Sequence, residues 1–137
     1  MKRIAWHDAL VIAFPAALVA ACATAPGGDY AKPYALLQTE SRRPMPEELP
    51  AFIIKIDGRE IPTGHIDPVD PGMREVDVAL TGPQGSNVLK TYRLQVDAKA
   101  CTRYYLSMKH SSPTATDWTP FVSGTERIGE CEKRFGK

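Results

Sequence analysis

The sequence lacks the motifs by which the common enzyme classes are recognised. It contains no Gly-x-Ser-x-Gly elbow, no His-Glu-x-x-His pair and no glycine-rich loop that would cradle a phosphate. Histidine is scarce, and beyond His7 only His65 and His110 occur, far apart along the chain. A serine, threonine or cysteine nucleophile needs a positioned base, and neither histidine stands in a recognisable context for one. These absences favour a protein that is not an enzyme and that carries no cofactor or metal ion.

An excess of charge of either sign is also missing. The chain has 17 lysines and arginines against 16 aspartates and glutamates, a formal net charge of +1. Leaving out residues 1–21 removes Lys2, Arg3 and Asp8, and the two signs are then equal in number. A nucleic-acid-binding surface needs a basic stripe that neutralises phosphates. The composition therefore argues against a nucleic-acid partner.

The sequence has no long hydrophobic run, but a short one follows two basic residues at the N-terminus. Lys2 and Arg3 precede an apolar stretch at 9–17, which is too short to span about 30 Å of hydrocarbon as a helix. The stretch leads into Leu-Val-Ala-Ala-Cys at 18–22, where two small residues stand directly before Cys22. This order of basic, apolar and small residues is typical of a cleaved signal peptide, helical along its apolar part.

The segment at 18–22 resembles the lipobox of bacterial lipoproteins. The resemblance implies that residues 1–21 are a lipoprotein signal peptide and that Cys22 carries a diacylglycerol on its sulfur and an acyl chain on its amine. Two or three such chains anchor stably, because each buried methylene adds about 0.8 kcal/mol of membrane affinity. Ala23 stands where an aspartate often retains such proteins in the inner membrane, so the resemblance implies the outer membrane, facing the periplasm. The alternative is a plain signal peptide with an incidental cysteine.

The remaining chain divides into a tether and one domain. Residues 22–32 contain Pro26, Gly27 and Gly28 and little to bury, so we expect a flexible tether with a span of roughly 15–20 Å. Residues 33–137 are enough for one domain with a modest core. The twelve prolines and ten glycines of the chain divide it into short pieces, which suits a β protein better than a helical bundle.

Alternating apolar and polar residues predict six to eight short strands. The side chains predicted to face the core in the four clearest strands are Phe52, Ile54 and Ile56; Val76, Val78 and Leu80; Tyr92, Leu94 and Val96; and Tyr104, Leu106 and Met108. Asp57 and Gly58 predict a type I′ hairpin, because both tolerate positive φ. The segment 118–122 contains Pro120 and is predicted at an edge, and 126–131 is predicted as the last strand. We therefore expect an all-β fold, a small antiparallel β-sandwich or open barrel.

The segment 51–80 also resembles the PEGA-type β module of bacterial envelope proteins. The resemblance rests on the aliphatic strand that ends in Asp57-Gly58, on Gly64, on Pro71-Gly72 and on the alternation at 76–78. The Pro-Glu-Gly-Ala string of that module is absent. The resemblance implies a β fold in an envelope setting and assigns no active-site residue.

Cys101 and Cys131 are the cysteines that remain once Cys22 is assigned to lipid. An even number of cysteines in an oxidising compartment predicts a disulfide. A redox or metal pair is the alternative, but the two residues lack a Cys-x-x-Cys spacing and nearby histidines. The last predicted strand would lie antiparallel to the strand after Cys101, which would bring the two cysteines within bonding distance.

Two groups of side chains are candidates for binding. Arg103, Tyr105 and Trp118 form a possible binding surface, because exposed aromatic and guanidinium groups stack on sugar rings or anchor a protein partner. The alternative is that Trp118 and Tyr104 fill the core beside the disulfide and that Tyr105 is a half-buried cross-strand neighbour. Asp57 and Asp67, with Asp70, could gather around Ca²⁺, although aspartate before glycine or proline is ordinary turn chemistry.

Three functions follow from these predictions. The first is a lipid-anchored envelope lipoprotein whose non-catalytic β-domain binds an envelope protein or a glycan. The second is a small envelope hydrolase or an accessory to one. The third is an inhibitor of a host or envelope hydrolase, similar only in size and location to the small lipoproteins that block lysozymes.

Overall fold

The structure, a computed structural model, describes residues 28–40, 45–62, 64–81, 88–112 and 114–136. Within these ranges the chain forms nine strands and one short helix, which confirms the predicted all-β class. The elements are β1 (Ala35–Thr39), β2 (Glu48–Pro50), β3 (Phe52–Ile56), β4 (Arg59–Glu60), β5 (Pro68–Val69), β6 (Gly72–Thr81), β7 (Val88–Ala98), β8 (Thr102–His110), β9 (Trp118–Arg127) and α1 (Gly129–Phe135). The predicted signal peptide, Cys22 and the tether residues up to 27 lie outside the described residues.

The strands form two sheets that do not close into a barrel. In the five-stranded sheet, β8 pairs with β9 on one side and with β1 and β2 on the other, and β5 continues beyond β1. The four-stranded sheet has the order β4-β3-β6-β7. The expectation of an antiparallel fold is wrong at one pair, since β1 runs parallel to β8. The long crossover that parallel neighbours require is supplied by the whole four-stranded sheet, which lies between β1 and β8 in sequence.

One hydrophobic core lies between the two sheets, as in a β-sandwich. Its buried members come from both sheets: Ala35, Leu37, Ala51, Ile56, Val69, Val76, Val78, Val96, Ala98, Tyr104, Leu106 and Met108. The alternation predicted for β6, β7 and β8 is confirmed, because the residues predicted inward on these strands are in this core or packed against it. Every second side chain along these strands thus points into the space between the sheets and fills it.

The strand β3 departs from the simple alternation predicted for it. Its pairing with β6 shifts register between Ile53 and Lys55, a β-bulge that leaves Ile54 as the extra residue. Ile53 and Ile56 therefore face the core, and the prediction that Phe52 and Ile54 do so is wrong. The hairpin after β3 is as predicted: Asp57 and Gly58 have φ angles of 49° and 79°, which both central positions of a type I′ turn require.

The C-terminal segment is a helix, and the prediction of a strand at 126–131 is wrong beyond residue 127. The strand β9 ends at Arg127, and α1 begins at Gly129. Its acidic side chains, Glu130 and Glu132, lie in the first turn and its basic side chains, Lys133 and Arg134, in the last. This order of charges complements the helix dipole and so favours a helix. The strand prediction depended on the single aliphatic residue Ile128, whose preference for a strand is the weaker effect.

The exposed edge of β7 is partly closed by a side chain from the opposite sheet. The backbone N–H of Lys99 donates to the Tyr104 hydroxyl at 2.8 Å, and that hydroxyl donates to the carbonyl of Asp97 at 3.1 Å. Both backbone groups would otherwise be open to pairing at a sheet edge. Tyr104 therefore fills the core with its ring and joins the two sheets with its hydroxyl.

The last residues of the predicted tether contact the domain. A Cβ atom on Gly28 would lie 2.6 Å from the carbonyl oxygen of Pro68, so only glycine permits this approach. The carboxylate of Asp29 accepts a hydrogen bond from the N–H of Ala31 at 2.8 Å, which forms a turn before β1. The part of the tether prediction that covers 28–32 is therefore corrected. Among the described residues, no helix is long and apolar enough to cross a membrane.

Candidate functional site

The predicted disulfide partners are joined in the structure, and they fix α1 to the domain. Cys101 and Cys131 are bonded, with their Cα atoms 5.2 Å apart. They lie in a small second core with Tyr34, Leu36 and Ile128, against which Phe135 packs. Cys101 occupies the left-handed region, with φ of 55°. Its carbonyl accepts the N–H of Ile128 at 2.8 Å, so the bond also holds the start of the helix.

Of the predicted binding surface, Arg103 and Tyr105 lie together, but Tyr105 is not exposed. Only 7% of the Tyr105 side chain is accessible, and its hydroxyl donates to Glu126 Oε2 at 2.5 Å. Arg103 Nη1 donates to the same carboxylate oxygen at 3.4 Å. The expectation that Tyr105 presents an exposed ring is therefore wrong. Tyr105 lies on the face of β8 that points away from the main core. This face is covered as well, so that both faces of the middle of the strand are buried.

The guanidinium of Arg103 stays charged at every ordinary pH. Its pKa is raised because it hydrogen-bonds Tyr105 and also faces Glu126, which together outweigh partial burial. A group whose pKa is raised on folding stabilises the folded state below its unfolded pKa and loses that effect only as the pH rises through the folded value. For an arginine whose pKa is raised this window lies far above neutral pH, so Arg103 contributes no pH dependence at neutral pH.

Trp118 lies away from the other two predicted residues. It pairs with His110 across the β8–β9 ladder, whereas Arg103 pairs with Glu126. Seven residues along β8 separate these positions, a distance of about 23 Å. Trp118 packs against the core between the sheets, with its ring centroid 3.5 Å from that of His110. The three side chains do not form one binding surface. Trp118 is partly buried against the core, but it lies at the opposite end of β8 from the disulfide beside which the alternative placed it.

The two ends of the sandwich differ in what they expose. We call the end that holds Gly28, α1 and the start of β8 the anchor end, and the end that holds β2 and the start of β9 the far end. At the far end Met45 and Leu49 are 66% and 41% exposed, and the N–H of Glu48 closes the turn between them by bonding the Met45 carbonyl at 2.9 Å.

A cation and an aromatic ring lie near the far end on the opposite face of the five-stranded sheet from Leu49, because Leu49 pairs with Met108 whereas Phe121 pairs with Ser107. On the other side of β8 from β2, Lys109 Nζ lies 4.9 Å from the ring centroid of Phe121. We call Met45 and Leu49, which lie on one turn, the far-end patch. Sequence reasoning missed it because Pro44, Pro46 and Pro50 indicate a loop rather than a strand at this point of the chain. The one signal in the sequence is that Met45 and Leu49 are apolar residues in an otherwise polar, proline-rich stretch.

Two of the three aspartates considered for Ca²⁺, Asp57 and Asp67, are engaged with arginines, and Asp70 lines the same cavity. Arg74 Nη1 lies 2.8 Å from Asp57, and Arg59 Nη2 lies 2.6 Å from Asp67. These pairs line a cavity of about 80 Å³ at the anchor end, bordered also by Gly28. Across the described ranges no three histidine, cysteine or acidic side chains converge as a metal site. The arrangement is that of turns fastened by ion pairs.

No protein-family model, curated protein or solved structure matches the chain.

Proposed function

We propose that the chain is a lipid-anchored protein of the bacterial envelope, whose β-sandwich binds an envelope protein or glycan and catalyses no reaction. The observation that carries the proposal is the lipobox-like segment at 18–22, which ends in Cys22 after a basic and apolar leader. The disulfide supports the same location, because such bonds persist in oxidising compartments. The anchor would hold the protein at the outer membrane, facing the periplasm.

The far-end patch is the surface we propose for the partner. Met45 and Leu49 are among the most exposed large apolar side chains of the described residues. Exposed apolar side chains that lie on one turn are typical of protein–protein contacts. Met45 and Leu49 favour a protein partner, because sugars are recognised mainly through rings and hydrogen bonds.

The anchor is tested by the variant Cys22→Ser in cells supplied with labelled fatty acid. We expect the wild-type chain to take up the label and to fractionate with membranes, and the variant to do neither. Near-ultraviolet circular dichroism should be the same for both, because Cys22 precedes the residues that make the core. Equal labelling of the two chains would contradict the proposal.

The binding surface is tested by crosslinking in intact cells. We expect Leu49→Glu to reduce the crosslinked partner at least about tenfold, since burying a charge in an interface costs more than 1.4 kcal/mol. Met73→Glu is the matched control, because Met73 is 58% exposed and lies on the other sheet. Equal loss with both variants would refute the patch. A partner hydrolase that loses activity on binding would identify the inhibitor of the third hypothesis, and one that gains activity would identify the accessory.

A further inference from the structure

We propose that the anchor end of the sandwich rests on the bilayer, with Tyr30 and the basic side chains Lys32, Lys133 and Arg134 against lipid headgroups. The inference depends on the proposed lipidation of Cys22 and names the face that the anchor turns toward the membrane. The far-end patch would then point into the periplasm, where a partner can reach it.

The first argument is the reach of the chain. Five residues, 23–27, lie between Cys22 and Gly28, and the six Cα–Cα steps that connect the two span at most about 22 Å. Gly28 lies against the backbone of Pro68 and Val69 at the anchor end. The strand β8 of nine residues runs about 30 Å from this end to the far end. The anchor end is therefore the part of the domain that the lipid holds closest to the membrane.

The second argument is that the chain is fastened at this end by several contacts. The Tyr30 ring packs edge-on against the buried ring of Tyr34, with centroids 4.9 Å apart. The Tyr30 carbonyl accepts a hydrogen bond from Arg134 Nη1 at 3.3 Å. These contacts connect the segment before β1 to α1, which the disulfide holds in turn. The domain thus has a fixed exit point for its tether.

The third argument is the chemistry of the exposed side chains around that exit. Tyr30 is 50% exposed, and Lys32, Lys133 and Arg134 are exposed. Tyrosine, with an apolar ring and a polar hydroxyl, is enriched at membrane interfaces, and lysine and arginine are attracted to anionic headgroups. The carboxylates of Asp29 and Glu130 are exposed at the same end and offset part of this charge. The orientation of the domain on the bilayer therefore depends mainly on the short tether. The attraction of the basic side chains to anionic headgroups adds a smaller contribution.

The experiment places a photocrosslinker at either end of the full-length lipidated protein. Tyr30→p-benzoylphenylalanine reports on the anchor end, and Leu49→p-benzoylphenylalanine is its control at the far end, since both positions are partly exposed. Each protein is reconstituted into vesicles of phosphatidylethanolamine and phosphatidylglycerol, floated, and irradiated. We expect lipid adducts at position 30 and few at position 49.

The outcomes separate the orientation from the anchor. Vesicles that float without the protein would refute lipid anchoring, and the orientation with it. Protein that floats but gives equal adducts at both positions, or more at 49, would refute the orientation alone. The variant Lys133→Glu should lower the adduct yield at position 30 by about fivefold on anionic vesicles, whereas Lys109→Glu at the far end should not change it. Equal yields for the two charge variants would refute the role of the basic side chains.

Discussion

The disulfide between Cys101 and Cys131 gives the most quantitative prediction, because the length of the loop that it closes is known. The two residues are 30 positions apart. Closing such a loop in the unfolded chain contributes about 3.6 kcal/mol in the chain-entropy model. We expect Cys131→Ser to lower the free energy of unfolding by about 2–4 kcal/mol, a large part of what a small domain has. The melting temperature should fall by about 10–20 °C.

The loss should appear first in α1. A helix of seven residues is too short to persist alone in water, where about 12–15 residues are needed. It is held by the disulfide and by the small second core around Ile128. Without the bond, α1 should separate from the domain at a lower denaturant concentration than the central strands β6 and β8, whose side chains fill the main core.

Urea unfolding and native-state hydrogen exchange measure these two effects. Urea gives the free energy of unfolding of the wild type, of Cys131→Ser and of Cys131→Ala. The alanine variant separates the bond from the cost of burying a serine hydroxyl where only 1% of the side chain is accessible. In Cys131→Ser, hydrogen exchange should show lower protection of the amides at 129–135 than of those at Val76 and Leu106. A change below about 0.5 kcal/mol in both variants, or unchanged protection of α1, would refute the reasoning.

Three further predictions concern single contacts. Tyr104→Phe should cost about 1–3 kcal/mol in urea unfolding, because it leaves a backbone N–H and a carbonyl without the hydroxyl that joins them; a neutral result would show that water replaces it. Gly28→Ala should raise proteolysis at the N-terminal segment severalfold, because its Cβ would meet the Pro68 carbonyl, whereas Gly129→Ala, which has open space, should not; equal cleavage would contradict this. Glu126→Gln should change the free energy of unfolding by less than about 1 kcal/mol, since its ion pair with Arg103 is solvent-exposed; a loss above 2 kcal/mol would show a larger role for the pair.

Several features of the fold could be predicted because they depend on residues close together in the sequence. The alternation in β6, β7 and β8 places every second side chain on one face, whatever the rest of the fold does. Asp57 and Gly58 specify their own turn through the φ angles they tolerate. The pairing of Cys101 with Cys131 was predicted because these are the two cysteines that remain if Cys22 carries lipid.

Other features could not be predicted because they depend on neighbours distant in sequence. The bulge at Ile54 adjusts the register of β3 to that of β6, which begins 16 residues after β3 ends. Tyr105 is buried although its position on β8 faces away from the main core, because its side chain meets Glu126 on the neighbouring strand. Periodicity gives the face on which a side chain lies, but it does not tell whether another part of the chain covers that face.

The sequence by itself determined the class of fold, the hairpin at 57–58 and the covalent pair, since each depends on local periodicity, local backbone preference or composition. The tertiary structure alone decided that β1 lies parallel to β8, that Trp118 and Arg103 are at opposite ends, and that Gly28 fixes the tether to the domain. These depend on which surfaces meet when the sheets pack. The surfaces that meet are those whose contact buries the most apolar area of the whole chain. No short segment of the sequence encodes this arrangement.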